Sequence, residues 1–312
     1  MAAVNVDNVF YPHGIYLNGG TAISCVRDFT PSNNFRDLSE SPASQAAPMF
    51  TGTHDALPDL RFGSMDVKVI LDAMLSAAFY MSSGVKADNP TKIEYKAATN
   101  AGIRNASGDN SHISASCARV ALFVESIRCR QGECAMVQCR LVNLFDTAGS
   151  VDPMVFSNGV DLVVTAAIPA LWTIGPVTVN SADAGCIEEW ELNNNIEYEE
   201  VQCAGLPFCT YVGIKSTRPQ LKMTTNKVGV ITTYGTRGTA LSSVTAFLRK
   251  KLASGINVAN ATAEHLKFTA TTGTIKARSV SGSKAMAELT IDFTQSAEDT
   301  APYAYEASVA IV

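Results

Sequence analysis

No run of apolar residues in this 312-residue chain approaches the roughly 18–20 that a membrane-spanning helix needs. The first residues, MAAVNVDNVFYPHG, lack the basic and apolar regions of a signal peptide, so synthesis in the cytoplasm is expected. Charge is scarce, at 17% of residues, and the net charge of −5 argues against a surface built to grip nucleic acid. The eight cysteines (Cys25, Cys117, Cys129, Cys134, Cys139, Cys186, Cys203 and Cys209) form no CxxC pair, and the four histidines are scattered at positions 13, 54, 112 and 265. Zinc sites bring close ligand pairs, so no metal is expected and the cysteines read as free, partly buried thiols. Cys129 and Cys134 flank a turn, but a reducing compartment disfavours a disulfide there. Phosphate-binding loops of the GxxxxGK[ST] or GxGxxG type are missing, as are GxSxG, HExxH and SxxK. His112 beside Ser111 and Asp109 makes no triad, because such geometry is assembled in space and not by adjacency in sequence. No catalytic residue, no cofactor and no enzyme activity are expected.

What is present is β patterning. With 46% hydrophobic residues and low charge, the chain suits a sheet protein that hides surface in an assembly. Its centre is the stretch from Trp172 to Thr225, where Trp190, Leu192, Ile196 and Tyr198 fall on even positions. Glu189, Glu191, Glu197 and Glu199 fall on odd ones, the two-residue period of a strand with one buried and one wet face. Paired carboxylates of a glycosidase are the competing reading, and a solvated face is the better one.

Along the chain, Asn18-Gly19-Gly20 marks a hairpin near the N-terminus. From Asp28 to Asp59, four prolines among Ser, Asn and Ala leave no period, and an irregular arm ordered against a neighbouring subunit is expected. Asn33, Phe35, Arg36, Leu38, Met49 and Phe50 are its candidate contacts. A short helix over SMDVKVILDAML follows, with Ser64 as cap and Asp66 in its first turn. Residues 82–111 read as a second projecting loop or hairpin around a strand at Lys92–Ala97. ARVALFVESIRC and CAMVQCRLVNLF form a hairpin, Asp146–Asn158 a loop, and VDLVVTAAIPAL a core strand, while Gly175-Pro176 breaks the chain before VTV. Leu241, Val244, Phe247, Leu248 and Leu252 share a helical face, with Arg249, Lys250 and Lys251 in the last turns and Gly255 as stop. The last fifty residues predict a meander through HLKFTA, TIKARS and KAMAELTIDF, with ASVAIV added at a sheet edge. No internal repeat is visible, and residues 1–312 read as one mainly β domain.

The order of these features resembles the tail tube proteins of long-tailed bacteriophages. The resemblance lies in SMDVKVILDAM, the serine–histidine step with its strand pair, GPVTVNSADAG before an alternating strand, GLPFCTYVGIKSTRPQLKMTT, TALSSVTAFLRKKLASG, and HLKFTATTGTIKARSVSGSKAMAELTIDF with a terminal AIV. It implies a two-sheet β-sandwich with a flanking α-helix. It further implies a homo-oligomer in which six copies form a ring, their inner sheets join into a barrel, and rings stack into a virion tail tube. Tape-measure and other tail proteins would be partners, and double-stranded DNA would pass through during ejection. Glu189, Glu191, Glu197 and Glu199 are the candidate lumen lining, a negative wall along which phosphates slide. The alternative is another β-sandwich assembly or binding module, such as a capsid decoration protein or an adhesin.

Overall fold

A computed structural model describes residues 9–17, 21–40, 50–74, 91–98, 103–117, 119–145, 153–164, 170–201, 209–280, 285–297 and 300–311, with the backbone alone at 30–40 and 50–58. The chain is mainly β, built from antiparallel sheets. Its elements are β1 (Val9–Leu17), β2 (Thr21–Ile23), β3 (Val26–Glu40), β4 (Phe50–Ser64), α1 (Val67–Met74), β5 (Thr91–Ala98), β6 (His112–Cys117), β7 (Arg119–Arg130), β8 (Met136–Leu144) and β9 (Val155–Val160). There follow β10 (Leu171–Val179), β11 (Ala182–Asp183), β12 (Ile187–Asn193), β13 (Glu197–Val201), β14 (Tyr211–Ser216), β15 (Gln220–Thr225) and α2 (Val230–Tyr234). The last are β16 (Thr239–Leu241), β17 (Val244–Lys251), β18 (His265–Ala270), β19 (Gly273–Val280), β20 (Met286–Phe293) and β21 (Ala304–Val309).

The strand order repeats. One five-stranded sheet runs β2-β1-β5-β6-β9 and the other β11-β10-β17-β18-β21. Between them they face a nine-stranded sheet, β16-β19-β20-β15-β12-β7-β8-β4-β3, in which β19-β20-β15-β12 and β7-β8-β4-β3 are the same four-strand arrangement side by side. The joint between the two halves is the β12–β7 pairing, Glu189 opposite Arg130 through Asn193 opposite Ser126.

Local detail repeats with it. His112 accepts the Ala97 N–H on Nδ1 at 3.0 Å, and its Nε2 meets the Ala106 carbonyl at 2.7 Å. His265 does the same with Lys250 N–H (3.1 Å) and the Ala259 carbonyl (3.1 Å), each residue 153 positions further on. The isolated bridges Ala98–Arg104 and Lys251–Asn257 keep that spacing. A register shift follows each histidine, and a positive-φ residue marks it on the partner strand, Gly159 (67°) or Ser308 (59°). Ser64 Oγ donates to the Ser24 carbonyl and accepts the Asp66 N–H, while Thr225 Oγ1 donates to the Ala184 carbonyl and accepts the Lys227 N–H. The chain is therefore two copies of one unit, where no internal repeat was expected.

One continuous core lies between the nine-stranded sheet and the two smaller ones, with members from every layer: Ile15 and Ile93, Phe62 and Leu141, Trp190 and Leu289, Leu248 and Phe268. Trp190, 1% exposed, packs edge-on against Phe268 with centroids 5.9 Å apart. Helix α1 buries Val67, Ile70 and Leu71 in the same core, and α2 buries Val230 and Tyr234. Burying a side chain of this size contributes about 1.5–3 kcal/mol, which makes the alternating inward faces the main source of cohesion.

Several expectations are corrected. The stretch from Leu241 to Leu252 is not a helix. Leu241 ends β16; Val244, Phe247 and Leu248 lie on β17; Leu252 is 48% exposed beyond it. Asn180 Oδ1 accepts N–H bonds from Ser242 and Ser243 and turns the chain between the two strands. β17 then satisfies its backbone on both sides, against β10 and β18. Tertiary pairing here overrides a helical spacing that its β-branched Val244 and Thr245 never favoured.

The described part of 28–59 is not irregular: β3 and β4 pair from Val26–Ser64 to Glu40–Phe50 as a long ribbon. Asn33, Phe35, Arg36, Leu38 and Phe50 lie on it, while Met49 falls outside the described residues. The strand expected at Lys92–Ala97 is present, but β5 is interior to a five-stranded sheet instead of projecting. Ser64 does not cap α1 directly; it fixes the preceding turn, and the Asp66 carboxylate takes the Ser24 N–H and hydroxyl. Val155–Val160 is a strand where a loop was expected, and Asp161–Val164 is not. Gly175-Pro176 sits at a bulge within β10 instead of ending it. The meander divides at Gly273, with β18 in one sheet and β19 and β20 in the other. The N-terminal hairpin, the β7–β8 hairpin, β20 and the edge strand β21 lie as expected.

Candidate functional site

The acidic run from Glu189 to Glu199 is split by a turn in which Asn195 adopts φ 44°. Glu189 and Glu191 stay on β12, and Glu197 and Glu199 lie on β13, which among the described residues pairs only with β14. Trp190 and Leu192 join the main core. Ile196 and Tyr198 pack instead against a second cluster, with Ala121, Phe123, Val142 and Leu144, on the opposite face of β7 and β8. The even positions thus serve two cores.

Seen across strands, the outer face of the nine-stranded sheet is a lattice of alternating charge. Arg128 and Arg130 on β7 flank Glu189 on β12 at 3.7 and 3.8 Å. Glu191 lies in register between Arg128 and Lys222 of β15. Lys222 is 3.4 Å from Glu288 on β20, which also meets Arg278 of β19 at 2.6 Å. Asp292 on β20 receives Gln220 at 2.6 Å and Lys276 of β19 at 2.9 Å. Burial opposes its ionisation, yet those two hydrogen bonds hold its carboxyl below the usual range. Basic β7, acidic β12, basic β15, acidic β20 and basic β19 follow one another, so each acidic row is neutralised by its neighbours.

The β13–β14 ribbon covers one end of this face. Tyr198 stacks on Phe123 at 5.8 Å, and the Arg140 guanidinium lies 4.5 Å above the Tyr198 ring while pairing with Asp59 at 2.5 Å. Phe145 N–H donates to the Cys209 carbonyl, and Arg119 donates to the Thr210 carbonyl. The ribbon springs from the connection between β12 and β15, in the second unit, and lies on β7 and β8 of the first. Glu197 accepts the Ser216 hydroxyl at 2.8 Å, and Glu199 is exposed.

Beside the ribbon is an open cleft of about 950 Å³, lined by Glu197, Lys215, Arg218, Gln220, Asp292 and Thr294 among others. Its carboxylates are engaged by Ser216, Gln220 and Lys276, and its described groups form no nucleophile–base pair.

Among the described residues, no three His, Cys, Asp or Glu side chains converge as a metal site would require. No described helix is long and apolar enough to cross a membrane. Cys25, Cys117, Cys129, Cys134, Cys139 and Cys186 carry free thiols. Burial pushes the Cys117 thiol up to about 12 and raises Cys129 and Cys139 as well, which suppresses the nucleophilic thiolate. His112, Ser111 and Asp109 hold the loop before β6: Asp109 accepts the Ala106 N–H, and Ser111 accepts from Asn105.

No family model and no curated protein matches the chain. The histidine pair was the signal sequence reading missed. Gly102-Ile103, Ala106 and His112 recur at the same spacing as Gly255-Ile256, Ala259 and His265.

Proposed function

We propose that this protein is a structural subunit of a phage-type tail tube, forming rings that stack into a conduit for genome ejection. The observation that carries the reading is the nine-stranded sheet: among the described residues, the edge strand β3 and the part of β19 beyond Ala277 leave ladder groups unpaired, while β16 and the Gly235 carbonyl cover the rest of β19. An open sheet edge is a template for another chain, and closure into a ring removes it. The sheet's outer face then becomes the wall of the bore, with the smaller sheets outside.

The charge lattice suits passage of double-stranded DNA. Affinity for a duplex grows with the number of phosphates that unopposed Lys and Arg neutralise. Here the basic rows are answered by Glu189, Glu191, Glu288 and Asp292, so phosphates find no continuous positive track. The candidate lining therefore narrows to Glu189 and Glu191, with Glu197 and Glu199 on the ribbon at the rim. Tape-measure and other tail proteins are the remaining partners of this reading, and the virion tail is its location.

Negative-stain electron microscopy of purified protein at high concentration tests it. Hollow cylinders of uniform bore are expected. Monodisperse monomers that bind a glycan in the 950 Å³ cleft would favour the adhesin or decoration reading instead.

A further inference from the structure

We infer that the joint between the two halves of the chain is the template for the contact between chains, so that a ring of six four-strand units closes with three copies instead of six. The count rests on the ring reading above; the contact itself rests on the duplication.

Register supports a residue-level assignment. Val26–Ser64 in the first unit occupies the place of Ile187–Thr225 in the second, and Ser32–Asp59 the place of Asn193–Gln220. On the other edge, Ser126–Gln138 and Ile127–Val137 correspond to Arg278–Glu288 and Ser279–Ala287. Within the chain, Asn193 lies opposite Ser126 and Leu192 opposite Ile127. Carried to the free ends, the same joint sets Ser32 of one copy opposite Arg278 of the next, and Pro31 opposite Ser279, where the proline offers its carbonyl but no N–H, so this pair makes one ladder bond where Leu192 and Ile127 make two. Among the described residues, β16 covers Gly273, Thr274 and Ile275 and the Ala277 N–H donates to the Gly235 carbonyl, so the open part of that edge begins beyond Ala277.

A second feature occupies the same place in both units with a different shape. The β13–β14 ribbon leaves the second unit between β12 and β15 and lies over the adjoining first unit. The matching connection in the first unit, between β3 and β4, is the long ribbon that includes residues 33–40 and 50–58. It extends from the nine-stranded sheet as one ladder, where β13–β14 is a separate folded-back sheet, and from the free edge it reaches toward the second unit of the neighbouring copy. Its seat there corresponds to Phe123, Val142 and Leu144, that is, Lys276, Asp292 and Thr294. The last two line the open cleft, which is thereby assigned to a second copy of this chain.

The test is a double variant, Ser32→Cys with Arg278→Cys, oxidised after assembly and run on a non-reducing gel. Directly opposed strand residues lie about 4.5–5.5 Å apart at Cα, within disulfide reach. A covalent ladder ending at three chains is expected, with each single variant remaining at one chain. A ladder reaching six chains overturns the three-copy closure while keeping rings. Tubes that form without cross-linking overturn the joint while leaving the tube reading intact. Uncross-linked monomers with no rings overturn both. Native mass spectrometry of the unaltered protein gives an independent check: assemblies should occur in multiples of three 33.1 kDa chains.

Discussion

Set side by side, the two units share a frame and differ in what hangs from it. The frame is the strand order, the bulge beside each histidine and the hydroxyl that fixes the turn after β4 or β15. Among the described residues the differences include the connection between the third and fourth strands, the bulge where the first strand meets its neighbour, and β16, which covers β19 where the matching edge of β7 pairs with β12. In the first unit that bulge holds His13; in the second, register places Gly175 there. The connection is a pair of 15-residue strands in the first unit and a folded-back ribbon in the second. Elements that make the core were held to one plan while elements that reach outward diverged.

The comparison can be broken most severely in the core. Trp190→Ala should cost about 3–5 kcal/mol, the range for emptying a buried aromatic site. Phe29→Ala, at the matching position but only partly buried, should cost less; urea midpoints of the two variants decide. Equal costs would mean that the two halves pack alike despite the difference in size.

Next come the histidines. His112→Ala and His265→Ala each orphan a buried N–H and a carbonyl, so each should lose roughly 2–3 kcal/mol. A variant with no loss would show that one loop holds its shape without the imidazole.

A smaller effect is expected at the second bulge. A Cβ on Gly175 would lie 2.6 Å from the Phe247 carbonyl oxygen, backbone that cannot step aside. Gly175→Ala should destabilise by about 1–3 kcal/mol, read as a lowered Tm.

The smallest effect belongs to His13 and depends on pH. Burial chiefly lowers its affinity for a proton from the ordinary 6.5, and Lys96 and His112 add to this; the Val164 carbonyl, 2.8 Å from Nε2, and Glu94 act the other way. As pH falls below 6.5, the unfolded chain takes up a proton that the folded one resists, so stability falls with it. His13→Gln should flatten the stability profile between pH 5 and 7. An unchanged slope would assign that dependence to other groups.

Much of the frame was legible in the sequence because strands with one buried face alternate plainly. Ala287, Leu289, Ile291 and Phe293 are inward, as their spacing says. Other parts were hidden for physical reasons. Leu241–Leu252 mimics a helical stripe because Phe247, 6% exposed, is buried although its neighbours Ala246 and Leu248 face the main core, which removes the alternation. The acidic run looked continuous because a turn at Asn193–Ile196 leaves the parity of the sequence unchanged while moving the strand to another sheet. Its charge seemed unopposed because the answering Arg128, Arg130 and Lys222 come from strands distant in sequence. The duplication was hidden because packing conserves volume and polarity across paired layers and not identity: Phe62 stands where Met223 does, and Cys139 where Leu289 does.

The β12–β7 seam carries one more consequence, and it is kinetic. Two units on one polypeptide meet at an effective concentration set by the chain between them, commonly millimolar for a short tether, whatever the abundance of the protein. In the ring proposed above, every second joint would thus be made during folding, before any collision between molecules. Only the joints between chains would depend on protein concentration, so such a ring should form at lower abundance than one built from the same units on separate chains. A ring assembled in that way would also pass through fewer incomplete forms in which to stall.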